Sequence, residues 1–331
     1  MILKFLTSTF TYQVITLMAF LTLFTAAPVV AQTDNYPSKP ITIVVGYPPG
    51  GSTDLTGRTI AAELSKALGT PVVIENIGGA GGTIGAQKVA NAAPDGYTLL
   101  VGANNEISIA RLVSSAVKYQ AKDFTPVGLI ASQPMVLVAS AKSGVKTVEE
   151  FISIVKKNPG KYNYGSSGVG TALHLAGEMV KEQGGMFMTH IPYRGVAPLA
   201  NDLLGNNIDF GVFVLSSGLP HIKSGRVVAL GVTEKNRSKV ATDIPALAEN
   251  AKLKSIDIGS WFALMGPAKL PEPVLAKLKK ALADSLQSPD LRKKLEDSGS
   301  TVSALNVNMD AFLKAENDKY QKIVDYAKIK E

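Results

Sequence analysis

The sequence predicts an α/β protein of two lobes, each a mostly parallel sheet flanked by helices. Short apolar runs rich in β-branched residues alternate with helical patterns along most of the chain. Continuous apolar strands between helices are typical of parallel sheets that are covered on both faces. The middle of the chain repeats the arrangement of its first part, and a chain of 331 residues is long enough for two domains of about 100–200 residues each.

Residues 1–31 predict a secretory signal peptide that is cleaved after Ala31. Lys4 is the only charged residue before Asp34, and an apolar stretch from 14 to 27 is followed by PVVAQ. A membrane anchor is the alternative, but this stretch is shorter than the roughly 20 residues that a spanning helix needs. We therefore expect a secreted protein that begins at Gln32.

The first part of predicted lobe I, residues 36–131, contains three strands and two helices. The runs ITIVV, PVVIEN and YTLLVG predict strands at 41–45, 71–76 and 97–102. Apolar residues that share one helical face follow the first strand, and a shorter helix reaches Asn91. That face is formed by Ile60, Ala61, Leu64 and Leu68.

Predicted lobe II spans residues 132–262. It begins between two strand-like runs, at 126–131 and 135–140, which Ser-Gln-Pro separates. A helical pattern from Thr147 ends at Asn-Pro-Gly, and a helix after residue 171 carries Ala172, Leu175, Ala176, Met179 and Val180 on one face. Further strands are predicted at 188–193, 208–213 and 227–232, with helices between them.

The tail, residues 263–331, is assigned to lobe I. It begins within a strand predicted at 261–266. A helix with proline in its first turn comes next, and a last helix runs from Met309 to about Lys328. If this tail packs on the first lobe, the chain crosses between the lobes twice, through residues 129–138 and near residues 256–265. The two crossing segments would then form a two-strand hinge between the lobes.

Composition excludes several classes of function. The chain has no cysteine, so disulfides, thiolate catalysis and cysteine metal sites are absent, and with a signal peptide this suits a bacterial periplasm. The net charge of +7 is spread along the chain without basic stripes interleaved with aromatics, which argues against nucleic-acid binding. His174, His190 and His221 lack paired ligand spacing, so we expect no metal, and we expect no organic cofactor.

The stretch GYPPGGSTD, residues 46–54, predicts an anion site. It follows a buried strand and opens a helix, which brings free backbone N–H groups and the positive helix end to one point. Glycines allow close approach of a ligand, and prolines stiffen the loop. A well-capped turn without a ligand explains this stretch alone equally well.

Two further glycine-rich loops follow the same strand–loop–helix pattern. NIGGAGGTIG, residues 76–85, follows the second strand, and YGSSGVGTALHLAGE, residues 164–178, lies in the second half. Ligands of open α/β sheets bind beyond the carboxyl ends of strands, so loops from the two lobes would face each other across a cleft. Nucleotide motifs with G-x-G-x-x-G or G-x-x-x-x-G-K-[ST] spacing are absent, and G-x-S-x-G fails at Ser166 and Ser167.

Several long blocks of the sequence resemble one family. YPSKPITIVVGYPPGGSTD, LGTPVVIENIGGAGGTIGAQKVANAAPDGYTLL, NPGKYNYGSSGVGTALHLAGE, HIPYRGVAP and LPHIKSGRVVALGVT are similar to the substrate-binding proteins of tripartite tricarboxylate transporters, the TctC or Bug (Bordetella uptake gene) family. The resemblance is collinear and runs from Tyr36 to the C-terminal helix. It implies a monomeric periplasmic protein of type II Venus-flytrap fold that closes over a small carboxylate and delivers it to a two-subunit membrane permease.

The resemblance also implies a set of ligand-binding residues, in the loops 47–54 and 166–171 that hold carboxylates in the family. Backbone N–H groups and hydroxyls are the main candidates, and the aromatic residues are candidate walls of the site. With three candidates from outside these loops, Asn104, Tyr193 and Phe213, the full set of predicted ligand-binding residues is Tyr47, Pro49, Gly50, Gly51, Ser52, Thr53, Asp54, Asn104, Ser166, Ser167, Gly170, Thr171, Tyr193 and Phe213.

Two departures from the family pattern bear on the ligand. Phe213 stands where the family commonly has an acid, which argues against an amino acid and favours an apolar or aromatic middle of the ligand, unless this ring is a core residue. Asn104, Asn105 and Glu106 either read a polar or amide group or form a solvated loop. We expect a binding protein for a di- or aromatic carboxylate without catalysis; a sensory receptor that feeds a signalling partner and an exported α/β enzyme are the alternatives.

Overall fold

The computed structural model describes residues 35–327 and residue 329. The predicted signal peptide, residues 1–31, with its predicted cleavage after Ala31, lies outside the described residues. Within them, no helix combines the length and the apolar character that a membrane crossing requires. The strands and helices of the described residues all belong to the unit that begins at Pro37.

The strands agree with most of the predicted runs. They are β1 (Ile41–Val45), β2 (Val72–Asn76), β3 (Thr98–Ala103), β4 (Phe124–Ser140), β5 (Asn163–Ser166), β6 (Thr189–Pro192), β7 (Phe210–Val214), β8 (Val227–Val232), β9 (Gly259–Pro267) and β10 (Thr301–Val302).

Ten α-helices flank these strands in the described residues. They are α1 (Ser52–Leu68), α2 (Thr83–Ala90), α3 (Ala110–Val113), α4 (Val148–Lys157), α5 (Ala172–Gly184), α6 (Val196–Leu204), α7 (Leu215–Lys223), α8 (Glu272–Gln287), α9 (Pro289–Asp297) and α10 (Met309–Ala327). A π-helical turn, Asn105–Ile109, leads into α3. No predicted helix corresponds to α9. This helix is strongly polar, and Leu291 and Leu295 are its buried residues, so it has too few apolar residues for a recognisable helical face.

The first strand group consists of β1, β2, β3, β9, β10 and the N-terminal part of β4. β1 pairs in parallel with β2 and β3, and β9 runs antiparallel between β3 and residues 124–134 of β4. The parallel strands therefore end at one edge, which carries the loops after Val45, Asn76 and Ala103. These three loops build one side of the candidate site.

The second strand group consists of β5, β6, β7, β8 and the C-terminal part of β4. β5 pairs in parallel with β6 and β7, and residues 135–140 of β4 run antiparallel between β7 and β8. The carboxyl end of β5 carries the loop 167–171, which leads into α5. Each group is thus a mixed sheet with three parallel strands on one side and antiparallel strands on the other.

β4 differs from the prediction because it is one strand rather than two. Ser132, Gln133 and Pro134 stay extended and pair with β9, since the residue before a proline prefers an extended backbone. The partners of β4 change at Met135, where pairing passes from the first strand group to the second. The lobe boundaries predicted at residues 131/132 and 262/263 stay predictions.

The apolar cores lie on the faces of these sheets. One core cluster joins β4, β5 and β7 to helices α4 and α5, and in it the rings of Phe151 and Phe210 meet edge to face at 4.8 Å. The same cluster includes Tyr320 and Val324 of α10, so the C-terminal helix is part of the packed structure. This packing holds the strand ends, and the loops on them, in fixed positions.

Candidate functional site

Helix α1 opens directly after the loop that follows β1. Gly51 is its N-cap residue and provides no side-chain cap, so the first-turn N–H groups point toward the space in front of the helix. The side chains of Ser52 and Thr53 are buried in this first turn. An uncapped helix N-terminus with nearby hydroxyls is suited to binding an anion, because the helix dipole and free N–H groups act together.

Asp54 braces this loop. Its Oδ2 accepts hydrogen bonds from the Gly50 N–H at 2.9 Å and from Arg58 Nε at 3.0 Å, and its Oδ1 accepts one from Asn76 Nδ2 at 2.9 Å. Burial raises the pKa of Asp54, but the hydrogen bonds from Arg58, Gly50 and Asn76 outweigh it and hold that pKa below its ordinary value. The carboxylate is therefore occupied with the loop itself.

Helix α5 also begins directly after a loop that follows a strand, β5, but it has a side-chain cap. Thr171 caps it, because its Oγ1 accepts the His174 N–H at 3.3 Å and donates to the Gly168 carbonyl at 2.8 Å. The N–H of Ala172, the first helical residue, donates instead to Oδ1 of Asn105 at 2.6 Å. A side-chain oxygen from the first strand group thus sits at the N-terminus of a helix from the second.

Both helix N-termini line one small cavity of about 30 Å³. Serine hydroxyls and the Asn105 amide supply polar groups, and the side chains of Leu173, Val196, Val214 and Phe262 supply apolar walls. No Asp, Glu, Lys or Arg is among the described residues that line it, which are Tyr47, Pro48, Gly51, Ser52, Thr53, Ala103, Asn105, Ser167, Ala172, Leu173, Val196, Val214, Ser260 and Phe262.

A larger cavity of about 440 Å³ shares Tyr47 and Ser167 in its lining. The second glycine loop, residues 79–83, forms one side, and residues 192–195 form another. Arg194 is exposed here and is the one charged residue among the described lining residues. This cavity is wide enough for a small solute, whereas the inner cavity holds little more than a water molecule in this conformation.

The structure brings together part of the predicted set of site residues. Tyr47, Gly51, Ser52, Thr53 and Ser167 line the inner cavity. Gly170 and Tyr193 line the larger one. The predicted residues that line neither cavity are Pro49, Gly50, Asp54, Asn104, Ser166, Thr171 and Phe213.

Phe213 differs from the expectation of a ligand-binding wall. Its ring is 2% exposed and packs in the core cluster with Val136 and Leu219. Because side chains alternate along β7, the next residue, Val214, faces the cavity instead. The core alternative for Phe213 therefore describes this conformation.

Asn104 also has a structural role here. Its Nδ2 donates to the Tyr320 hydroxyl at 2.6 Å and to the Gly259 carbonyl at 3.0 Å, which ties the end of β3 to α10 and β9. The alternative that residues 104–106 form a solvated loop is wrong, since all three are buried in a helical turn. The sequence pattern does not indicate that Asn105, rather than Asn104, reaches the cavity, because a single π-helical turn is too short to be recognised from its periodicity.

The second glycine loop packs closely against the first. A Cβ on Gly46 would lie 2.6 Å from the Gly82 carbonyl oxygen, so the two backbones approach too closely for a side chain. Gly82 has a φ of +94°, and a Cβ there would lie 2.9 Å from the Tyr47 hydroxyl. Glycine is required at both positions by this contact.

A buried hydrogen-bond network lies behind the cavity wall. The Tyr47 hydroxyl donates to the Gly81 carbonyl at 2.7 Å and accepts from Asn105 Nδ2 at 2.7 Å. Glu106 Oε2 lies 3.0 Å from the same hydroxyl. Burial raises the pKa of Glu106 to about 7, despite backbone hydrogen bonds that lower it.

Two histidines support the loop before α5. The rings of His174 and His190 stack with centroids 3.8 Å apart. His174 Nδ1 accepts the Gly170 N–H at 3.0 Å, and His190 Nε2 lies 2.7 Å from Ser166 Oγ. The His174 ring turns back toward the N-terminus of α5, and the Gly170 N–H is thereby engaged within the protein.

His190 is held in its neutral form. Burial lowers its pKa to about 3, and the neighbouring His174 and Lys181 add to the shift. Glu178 accepts hydrogen bonds from Lys181 Nζ at 2.7 Å and from the Tyr164 hydroxyl at 2.6 Å.

Comparison with known proteins identifies this architecture. A family model described as tripartite tricarboxylate transporter family receptor, TctC, matches residues 56–328. A UPF0065 protein from the TAR-I ttuE-ttuC' intergenic region of Agrobacterium vitis is 36% identical over 315 residues, which cover 94% of this chain and 91% of that protein.

Solved structures agree in fold. The periplasmic binding protein BugD is 33% identical with a TM-score of 0.85, covering 89% of this chain and 99% of its own. Rpa4515 of R. palustris, solved with adipate, is 31% identical with a TM-score of 0.85 and the same coverage. MatC of Rhodopseudomonas palustris, solved with bound malate, is 31% identical with a TM-score of 0.82, covering 87% of this chain and 100% of its own. The predicted two-lobed α/β fold class is confirmed by these similarities.

Proposed function

We propose that this chain, which belongs to the family of tripartite tricarboxylate transporter receptors, captures a small organic carboxylate in the cleft between its two lobes. The family match also confirms the resemblance seen in the sequence. BugD is a periplasmic binding protein, and we propose that this chain likewise binds its solute without converting it. Di- or aromatic carboxylates are the favoured solutes.

One observation carries the proposal: the N-termini of α1 and α5 meet at one cavity. Both helix ends present the positive end of a helix dipole, and Ser52, Thr53 and Ser167 add hydroxyl donors. The described lining residues include no acidic side chain that would repel an anion. An anion with two carboxylates matches two helix ends better than a cation or a neutral sugar does.

The apolar walls favour a solute whose middle is hydrocarbon. Leu173, Val196, Val214 and Phe262 line the space between the two helix ends. The inner cavity of about 30 Å³ is too small for a dicarboxylate, so binding requires the lobes to separate and close again around the solute. Adipate, found in the structure of one relative, has this form, and malate, found in the structure of another, is a shorter dicarboxylate with one hydroxyl group.

The proposed setting is the periplasm. Cleavage after Ala31 would release the protein there, and a two-subunit membrane permease is the proposed recipient of the solute. A single copy of the chain contains both helix ends, so we propose that it acts as a monomer.

Thermal unfolding of the protein from Gln32 onward, with a panel of solutes, tests this function. The panel contains malate, adipate, aromatic mono- and dicarboxylates, acidic amino acids and the diamide of each dicarboxylate as a matched neutral control. A solute at about 100 times its dissociation constant stabilises the folded state by roughly 2.7 kcal/mol, which shifts the melting temperature measurably. Stabilisation by an acid and not by its diamide supports the proposal; absence of any shift from the carboxylates contradicts it.

A further inference from the structure

Glu106 is a fully buried carboxyl group behind the cavity wall. It lies in the π-helical turn between β3 and α3, a type of turn that is frequent at functional sites. Its Oε1 accepts the Ala103 N–H at 2.7 Å, and its Oε2 lies 3.0 Å from the Tyr47 hydroxyl. Ala103, Asn105 and Tyr47 all line the cavity, so one layer of residues separates this carboxyl from the proposed solute.

The hydrogen bonds around Tyr47 fix the protonation of Glu106. Asn105 Oδ1 accepts the Ala172 N–H, so its Nδ2 is the group that donates to the Tyr47 hydroxyl. The Gly81 carbonyl can only accept, so the single Tyr47 proton points to it. The remaining contact, between Tyr47 and Glu106, then requires the proton on Glu106. The network is complete only with a neutral carboxylic acid.

The surroundings offer no charge to compensate an ionised Glu106. The phenols of Tyr47 and Tyr119 are the titratable groups that contact this residue. No cation within 4.0 Å pairs with it among the described residues. On the elements packed against this turn, α3 carries Arg111 and α2 carries Lys88, which pairs with Glu75. Helix α10 carries Glu316 and Lys319, which pair with each other, Lys314 and Asp318, which also pair, and Asp310, Lys322 and Asp325.

Ionisation of Glu106 would disturb the site in two ways. The Tyr47 proton would be shared between Gly81 and the new carboxylate, which weakens the bond that holds the second glycine loop at the cleft. A negative charge one layer behind the cavity wall would also repel an anionic solute, since the intervening protein screens poorly. Both effects favour a protonated Glu106 in the solute-bound state.

We propose that capture of an anionic solute in this cleft is coupled to protonation of Glu106. This inference rests on the proposed function. A proton from solvent binds to the Glu106 carboxyl when the solute binds in the cleft. Where the free protein has an ionised Glu106 and the complex a neutral one, binding takes up as much as one proton. Affinity then falls by up to about tenfold for each pH unit in that range.

Isothermal titration calorimetry with malate and adipate, at intervals from about pH 6 to pH 9, tests the coupling. Paired buffers of different ionisation enthalpy report directly the number of protons taken up. The matched control is Glu106→Gln, whose amide can accept from the Ala103 N–H and donate to the Tyr47 hydroxyl as the neutral acid does. We expect uptake that rises toward one proton at alkaline pH in the wild type, and none in E106Q.

Two results overturn the coupling: zero proton uptake by the wild type throughout the range, or equal pH dependence in E106Q. If neither protein binds a carboxylate at the lowest pH, the proposed function has failed instead, and the protonation of Glu106 is still measurable without a solute. Carboxyl-carbon NMR of glutamate-labelled protein measures this protonation. A resonance that titrates near neutrality in the wild type and is missing from E106Q supports a raised pKa of Glu106. Titration of that resonance at the ordinary value of a glutamate contradicts it.

Discussion

The side-chain oxygen of Asn105 accepts a hydrogen bond from the Ala172 N–H at 2.6 Å, which joins the end of β3 to the start of α5. The same amide donates to the Tyr47 hydroxyl at 2.7 Å. One side chain therefore connects the two strand groups and occupies an N–H at a helix N-terminus that would otherwise be free for an anion.

Replacement of Asn105 by leucine, which is similar in size, should favour the open form in the absence of solute. The hydrogen bond from the Ala172 N–H, which joins the two strand groups, is lost, and a bond of this kind is worth about 1 kcal/mol, so the opening equilibrium should shift by roughly fivefold. Small-angle scattering of the solute-free protein measures this as a larger radius of gyration. Asn105→Gln, which keeps the amide, is the control, and an unchanged radius for N105L would contradict a bridging role.

Gly51→Asp should block the proposed carboxylate site at α1. The backbone of Gly51 has a φ of −79°, and the nearest atom to an added Cβ is 3.9 Å away, so a side chain fits there without strain. A carboxylate at this N-cap accepts the first-turn N–H groups and competes with the solute, at a cost of about 1–2 kcal/mol in affinity, or roughly tenfold.

Calorimetric titration with a solute that stabilises the wild type measures this loss. Gly51→Asn caps the helix without charge and separates competition for N–H groups from electrostatic repulsion. Affinity of G51D equal to that of the wild type would show that α1 does not bind the solute.

The stability of the protein should carry a contribution from Glu106 that decreases as pH rises. The pKa of Glu106 is raised from 4.5 to about 7 in the folded state. Between these values the folded protein keeps a proton that the unfolded chain has released, so the free energy of unfolding falls by roughly 3 kcal/mol across that window. Urea unfolding at a series of pH values checks this, with E106Q as the variant that lacks the decrease.

The contribution of His190 to the free energy of unfolding should decrease as the pH falls, opposite to that of Glu106. Its pKa is lowered from 6.5 to about 3 because the ring is buried beside His174 and Lys181. The unfolded chain therefore binds a proton first, and stability is lost as pH falls through this range. We expect His190→Gln to lose less stability than the wild type between about pH 6 and 4; parallel profiles would contradict the neutral assignment.

His174→Leu should weaken solute binding more than His174→Asn. Leucine leaves the buried Gly170 N–H without its acceptor, at a cost of about 1–3 kcal/mol, whereas the asparagine oxygen can replace Nδ1 at nearly the same distance from the backbone. Affinity for the same solute, together with melting temperature, distinguishes the two. Equal affinities in both variants would show that this hydrogen bond does not position the loop.

Parts of the site follow from sequence rules that act locally. The loop 46–54 and the loop before Ala172 are both strand–loop–helix junctions, and such junctions place N–H groups at helix ends wherever they occur. Gly51, Ser52, Thr53 and Ser167 lie in these two loops and line the inner cavity, as predicted. The side chains that form its apolar walls come from distant parts of the chain, so no local pattern points to them.

Short stretches of the sequence are enough to predict the fold class, most of the strands and helices, and the two loops that open α1 and α5, because hydrophobic periodicity and glycine–proline signals act locally along the chain. Long-range packing sets three other features: β4 is continuous, Val214 rather than Phe213 faces the cavity, and Asn105 rather than Asn104 reaches Ala172. The protonation of Glu106 belongs to the same class, since it depends on burial and on partners 3 to 59 residues away. Contacts between distant segments set these features, and a linear pattern carries no information on distance in space.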